Sequence, residues 1–213
     1  MTRCVRALLS LVAALGLVAA AGAPGSAVAA RSGVAPVTAP DAVETYPGNL
    51  AALRPLRNDS DAEGDKLTIC ALGPEKYRGI DTDIDAEKDY FLDVRHKAVV
   101  GTYTFTYYAC DGTSSTPGTV TLTVLKPPRI TVRKLAGRPG HLRVTNGASF
   151  RIRFVYGDYT KDDAEGDLKI AKKSSVVIST RYTRIDWFAF AAKSGDSVRT
   201  GHVHGIRQPR LVT

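Results

Sequence analysis

An all-β fold, a β-sandwich followed by a second small β domain of sandwich or barrel type, is predicted by three observations on this chain. Apolar residues recur with period two in short runs rich in Thr, Tyr and Val, not at the 3.6-residue period of a helix. Clusters of Gly, Pro, Asn and Asp separate those runs. The charge also steps sharply at Pro127-Pro128: residues 31–127 carry 10 Lys+Arg against 14 Asp+Glu, net −4, and residues 128–213 carry 17 against 7, net +10. Paired prolines favour extended backbone and cannot continue a sheet ladder, so the domain boundary is placed there.

With 213 residues and 44% apolar content, the chain has the size of one large or two small domains and is no disordered tail. Three cysteines are too few for a disulfide-built miniprotein. The single long apolar stretch lies at the N-terminus, which excludes a polytopic membrane protein. That stretch reads as a signal peptide over residues 1–30: Arg3 and Arg6 form a basic region, Ala7 to Ala21 an apolar one, and Ala27-Val28-Ala29 a cleavage site. Its apolar run is short of the roughly 20 residues needed to span a bilayer, so no span is expected in the mature chain. Cys4 lies upstream of the run and leaves with it. Residues 31–42, rich in Ala, Pro, Val and Ser, read as a flexible leader, residues 43–127 as the first domain and 128–213 as a basic all-β second domain.

In the first domain, Leu67–Leu72, Tyr90–Val94, Thr102–Ala109 and Thr119–Val124 read as strands. Several short strands between turn signals argue for a sandwich. Cys70 and Cys110 remain as an even pair in a chain bound for an oxidising compartment, and they are expected to form a disulfide rather than two free thiols. Closing a loop of about 40 residues stabilises a fold by roughly 4 kcal/mol in the chain-entropy picture. Cys70 lies in an early strand and Cys110 at the end of a late one, where an inter-sheet bridge sits in an immunoglobulin-like sandwich, and Tyr108 has the spacing of a tyrosine corner. This half has no Trp, unlike antibody domains.

Two longer stretches sharpen the reading. Pro55-Leu56-Arg57-Asn58-Asp59-Ser60-Asp61-Ala62-Glu63-Gly64-Asp65-Lys66-Leu67-Thr68-Ile69, followed by Gly101-Thr102-Tyr103-Thr104-Phe105-Thr106-Tyr107-Tyr108-Ala109-Cys110-Asp111-Gly112, resembles the bacterial cadherin-like and Ig-like repeat family over roughly residues 40–126. Glu63 stands where that family usually has Asp, and residues 75–93 are more acidic than its Thr/Val-rich hairpin. The resemblance implies an Ig-like or cadherin-like sandwich serving as an extracellular binding, adhesion or spacer module.

Asp59, Asp61, Glu63 and Asp65 alternate within seven residues, a density of hard oxygen donors that suits calcium, with Asp111 as a further ligand if the strands bring it near. The spacing is not that of an EF-hand. The same residues read as an Asx-rich turn in which Asn58 and Asp61 cap local backbone and Gly64 takes a positive φ, and this is the preferred reading. A second acidic run, Asp81, Asp83, Asp85, Glu87 and Asp89, reads as a solvated edge or loop, with paired catalytic carboxylates as the alternative.

In the second domain, strands are expected at Ile130–Arg133, Leu142–Val144, Phe150–Val155, Ser175–Ser179 and Ile185–Phe190, with turns at Arg138-Pro139-Gly140, Asn146-Gly147 and the loop Asp158–Asp167. Asp163-Ala164-Glu165-Gly166-Asp167 repeats Asp61–Asp65 letter for letter and reads as a recurrent hairpin turn. Arg151 and Arg153 fall on one strand face and are the candidate anion-binding pair, for phosphate or carboxylate on an envelope polymer or lipid headgroup; solubilising an exposed face is the alternative. His202 and His204 share a strand face and, with His141, offer a zinc set, against which stands a surface reading. Trp187 and Phe188 read as core. No G-x-S-x-G, P-loop or G-x-G-x-x-G motif is present, and nothing demands an enzyme.

The expected function is a secreted, non-catalytic binding or adhesion protein of the cell envelope whose basic domain contacts an anionic polymer, surface protein or glycan. Nucleic acid is disfavoured as a partner. The alternatives are an accessory domain of a secreted hydrolase using the acidic run, or a structural spacer.

Overall fold

A computed structural model describes residues 33–85 and 89–209. The signal-peptide expectation for residues 1–30 and Glu87 of the acidic run lie outside the described residues. The described residues form one compact unit. The period-two runs become strands throughout, and the only helical segments among the described residues are 3-10 turns at Pro55–Arg57 and Tyr159–Lys161.

The acidic half contributes β1 (Asp41–Thr45), β2 (Asn49–Leu53), β3 (Thr68–Leu72), β4 (Ile80–Asp85), β5 (Asp89–Val94), β6 (Gly101–Cys110) and β7 (Ser115–Val124). They form a four-stranded sheet, β1-β7-β6-β3, and a three-stranded sheet, β2-β5-β4. Strand β1 runs parallel to β7, whereas the other ladders of this half are antiparallel. Alternate residues of both sheets, among them Ile69, Phe105, Tyr107, Val120 and Leu122 facing Tyr90 and Leu92, meet in one buried core.

The basic half contributes β8 (Ile130–Lys134), β9 (His141–Asn146), β10 (Ile152–Asp158), β11 (Asp163–Ile170), β12 (Ser175–Ser179), β13 (Ile185–Ala191) and β14 (Ser197–Val203). Sheets β11-β10-β13-β14 and β12-β9-β8 enclose a second core built on Leu142, Val144, Ile152, Phe154, Ile185 and Trp187. This is an open sandwich, not a barrel. Pro127 and Pro128 fall between β7 and β8, outside every strand. The Asn49 side chain links the halves by pairing with the Ser197 backbone, donating to its carbonyl at 2.8 Å and accepting from its N–H at 2.8 Å.

Three large rings lie on glycines of the neighbouring strand. Tyr107 stands opposite Gly118, Tyr156 opposite Gly166 and Trp187 opposite Gly201. A Cβ at Gly118 would fall 2.2 Å from the Tyr107 ring and one at Gly201 2.5 Å from the Trp187 ring. Glycine is required at these positions because a ring occupies the volume of its missing side chain.

Several expectations differ from the structure. Residues 37–42, read as flexible leader, are held: Val37 and Ser60 exchange backbone hydrogen bonds of 2.8 and 2.9 Å, and β1 begins at Asp41. A short parallel edge strand leaves little periodic signal. The Cys70–Cys110 disulfide forms, with Cα atoms 5.9 Å apart. It joins neighbouring strands of one sheet instead of bridging two sheets, because β3 pairs directly with β6 and Cys70 is the extra residue at a bulge between Ile69 and Ala71. Asp163–Asp167 lies inside β11 and is not a turn; the chain reverses at Tyr159–Lys161 and left-handed Asp162. Of the pair at the end of β6, Tyr107 is buried and not Tyr108, since strand neighbours alternate faces. Trp187 is in the core, but Phe188 faces outward for the same reason.

Candidate functional site

The residues expected to hold calcium are placed apart in purpose. Asp59 accepts from the Ala39 N–H at 2.9 Å through Oδ1 and from the Tyr107 hydroxyl at 2.7 Å through Oδ2. Asp61 Oδ1 takes the N–H groups of Glu63 and Asp65, both at 2.9 Å, closing the Asx-type turn, with Gly64 at φ +76°. Glu63 accepts from the Val34 N–H at 3.0 Å. Asp111 ties its own hairpin through the N–H and hydroxyl groups of Thr113 and Ser114. Those bonds, the Ser114 hydroxyl first, hold the Asp111 carboxyl far below the usual carboxylate range. Among the described residues no three His, Cys, Asp or Glu side chains are grouped to hold a metal ion, neither here nor at His141, His202 and His204. The rings of His202 and His204 lie 4.7 Å apart, and His141 Nδ1 sits 2.8 Å from the Pro139 carbonyl. Sequence reasoning missed Asp41, whose carboxyl is raised by burial and by the charge of Asp59 beside it.

The acidic run lies on the β4-β5 hairpin. Asp81, Asp83 and Asp85 are exposed on β4, Asp81 paired with Arg95 at 2.6 Å, and Asp89 accepts from Arg54 at 2.6 Å. This is a solvated sheet edge.

Of the expected anion-binding pair, Arg153 is already engaged. Its guanidinium grips Asp167 through Nε at 3.0 Å and Nη2 at 2.6 Å. Arg151 lies just before β10, at a cleft between the halves that also includes Tyr46, Phe150 and Lys172. Register places a different cation pair together. Arg133 on β8 stands directly opposite Arg143 on β9, with Val177 of β12 next in the row. The adjacent row on the same face is Thr131, Thr145 and Ser175, where the Thr145 and Ser175 hydroxyls bond at 2.8 Å. Arg133 and Arg143 are exposed and neither is in an ion pair among the described residues. Strands β8, β9 and β12 contain no Asp or Glu. Like charges directly opposite in a ladder are destabilising, so this row is a standing cost in the isolated protein.

Two open sandwiches, each of a four-stranded and a three-stranded sheet, define the chain as an Ig-like β-sandwich protein. Residues 34–123 match the family model described as a bacterial Ig domain. No curated protein matches the chain. Among solved structures it is similar to a SusE-like surface-located polysaccharide-binding protein from the Bacteroides thetaiotaomicron heparin utilisation locus, at 13% identity and TM-score 0.37, over 79% of this chain and 34% of that one. It is also similar to an I-band fragment of titin, at 15% identity and TM-score 0.31 over 78% and 63%, and to the human desmocollin-1 ectodomain, at 12% identity and TM-score 0.31 over 84% and 38%. The chain thus spans less than two thirds of the length of each. Among the described residues no helix is long and apolar enough to cross a membrane.

Proposed function

We propose that this protein is a secreted, non-catalytic binding module of the bacterial cell envelope that holds an anionic polymer on the outer face of sheet β12-β9-β8. The observation that carries the reading is the directly opposed pair Arg133 and Arg143, on a face lined by hydroxyls and lacking carboxylates. A polyanion relieves the repulsion between the two guanidiniums, and its phosphate or carboxylate groups accept from them and from the hydroxyl row. The apolar N-terminal run and the Cys70–Cys110 disulfide support an exported location. The acidic Ig domain, bearing its charge on the β4-β5 edge, keeps the rest of the molecule off the same polymer.

The test is retention of the purified chain on phosphate-bearing cell-wall polymer over a salt series. Retention is expected to fall steeply with salt and to be lost in Arg133→Ala/Arg143→Ala, while Arg153→Ala, whose charge is already neutralised by Asp167, retains it. Equal retention by the Arg133/Arg143 variant, or no retention at low salt, overturns the reading.

A further inference from the structure

The second sandwich has an opposite outer face with different chemistry. We propose that the solvent face of sheet β11-β10-β13-β14 binds a neutral saccharide chain, stacked on Phe188 and Phe190 with Tyr159 at its side. Strand β13 is an interior strand whose residues alternate: Ile185, Trp187, Ala189 and Ala191 enter the core, and Phe188 and Phe190 point the other way. Aromatic side chains at the outward positions of a central strand have no core to fill. The two rings lie 6.5 Å apart and 19° from parallel. Tyr159 meets Phe188 edge-on at 5.2 Å and is itself 37% exposed. None of the three belongs to the buried cluster or packs against it.

The surroundings select the occupant. Arg153 stands opposite Phe190 and Val155 opposite Phe188, and Asp167 follows in the next strand beside Val155. Arg153 is locked to Asp167, and Arg184 lies 3.3 Å from Asp186. Arg153 and Arg184 therefore each have their own carboxylate, and the cation left over in these rows is the exposed Lys169 opposite Arg153, at the outer edge of β11, so no two free cations face each other beside the rings as Arg133 and Arg143 do on the other sheet. A polyanion meets two carboxylates here and gains nothing over the opposite sheet. A stable protein partner buries about 800 Å² on each side around an apolar centre, whereas this aromatic stripe is interrupted by ion pairs one residue away. A pyranose fits both features. Its C–H face stacks on an aromatic ring, and its hydroxyls find remaining guanidinium N–H donors and carboxylate lone pairs already held in place. Two near-parallel rings along one strand offer platforms for two successive sugars.

The experiment titrates the full chain with neutral hexasaccharides of glucose, mannose, galactose and N-acetylglucosamine, followed by calorimetry and by the fluorescence of Trp187, the sole Trp, on the reverse of the same strand. At least one hexasaccharide is expected to bind. Phe188→Ala and Phe190→Ala are each expected to weaken it at least tenfold, and Tyr159→Ala, which lies outside the strand and spares the sheet, about threefold. Arg133→Ala/Arg143→Ala should leave saccharide binding unchanged, which separates this site from the polymer face. Binding to none of the four, or unchanged binding by the Tyr159 and Phe188 variants, overturns the proposal. So does a concentration-dependent dimer of the wild-type chain that Phe188→Ala abolishes, since the stripe would then be a protein contact.

Discussion

The Tyr107 hydroxyl donates a 2.7 Å hydrogen bond to Asp59 Oδ2, tying the buried middle of β6 to the acidic loop 48 residues earlier. Asp59 also accepts from Ala39, so one carboxylate anchors the entering chain, the loop and the sheet. The acidic repeat is in this respect a structural clasp.

Tyr107→Phe should leave the ring on Gly118 and remove only the donor. A hydrogen bond to a charged group contributes roughly 1.5–3 kcal/mol. At about 4–8 °C per kcal/mol for a domain of about 90 residues, thermal unfolding is therefore expected to move down by at least about 6 °C in calorimetry. An unchanged midpoint would show that the clasp carries no stability.

Burial, reinforced by the nearby Glu75 carboxylate, pushes the Tyr90 hydroxyl up to about 12. Tyr107 is raised as well, first by burial and then by its bond to Asp59. An unfolded tyrosine ionises near 10. Between about pH 10 and 12 the folded state keeps a proton that the unfolded state has lost, so this stability is whole below pH 10 and declines as pH rises through that window. Urea midpoints at pH 9 and pH 11 should differ more for the wild-type chain than for Tyr90→Phe. Equal differences would show that Tyr90 is not the group responsible.

Arg143→Glu turns the repulsive row on the β8-β9 ladder into an attractive one. It is expected to stabilise the protein by about 0.2–1 kcal/mol while abolishing retention on an anionic polymer. Chemical denaturation and the retention assay read the two effects separately. A variant less stable than wild type would mean that Arg143 serves the fold.

Much of this was legible in the residues. Period-two runs such as Thr119–Val124 mark strands because a sheet with one buried face imposes alternation locally, and the cysteine pair marks a covalent link because only two thiols remain after Cys4. The Asx turn at Asp61 is likewise written in adjacent residues. The site was not legible. Arg151 and Arg153 are neighbours in sequence and so drew attention, whereas Arg133 and Arg143 meet only across a ladder.

The sequence alone determined the all-β class, the acidic-then-basic division and the disulfide partners, since each rests on composition or short-range spacing. The tertiary structure alone decided that the disulfide lies within a sheet, that Tyr107 and not Tyr108 is buried, that Phe188 faces outward while Trp187 faces in, and that Arg133 opposes Arg143. These depend on strand register and sheet order. Both are set by hydrogen bonds between residues distant in sequence, and a shift of one residue exchanges every inward side chain for an outward one.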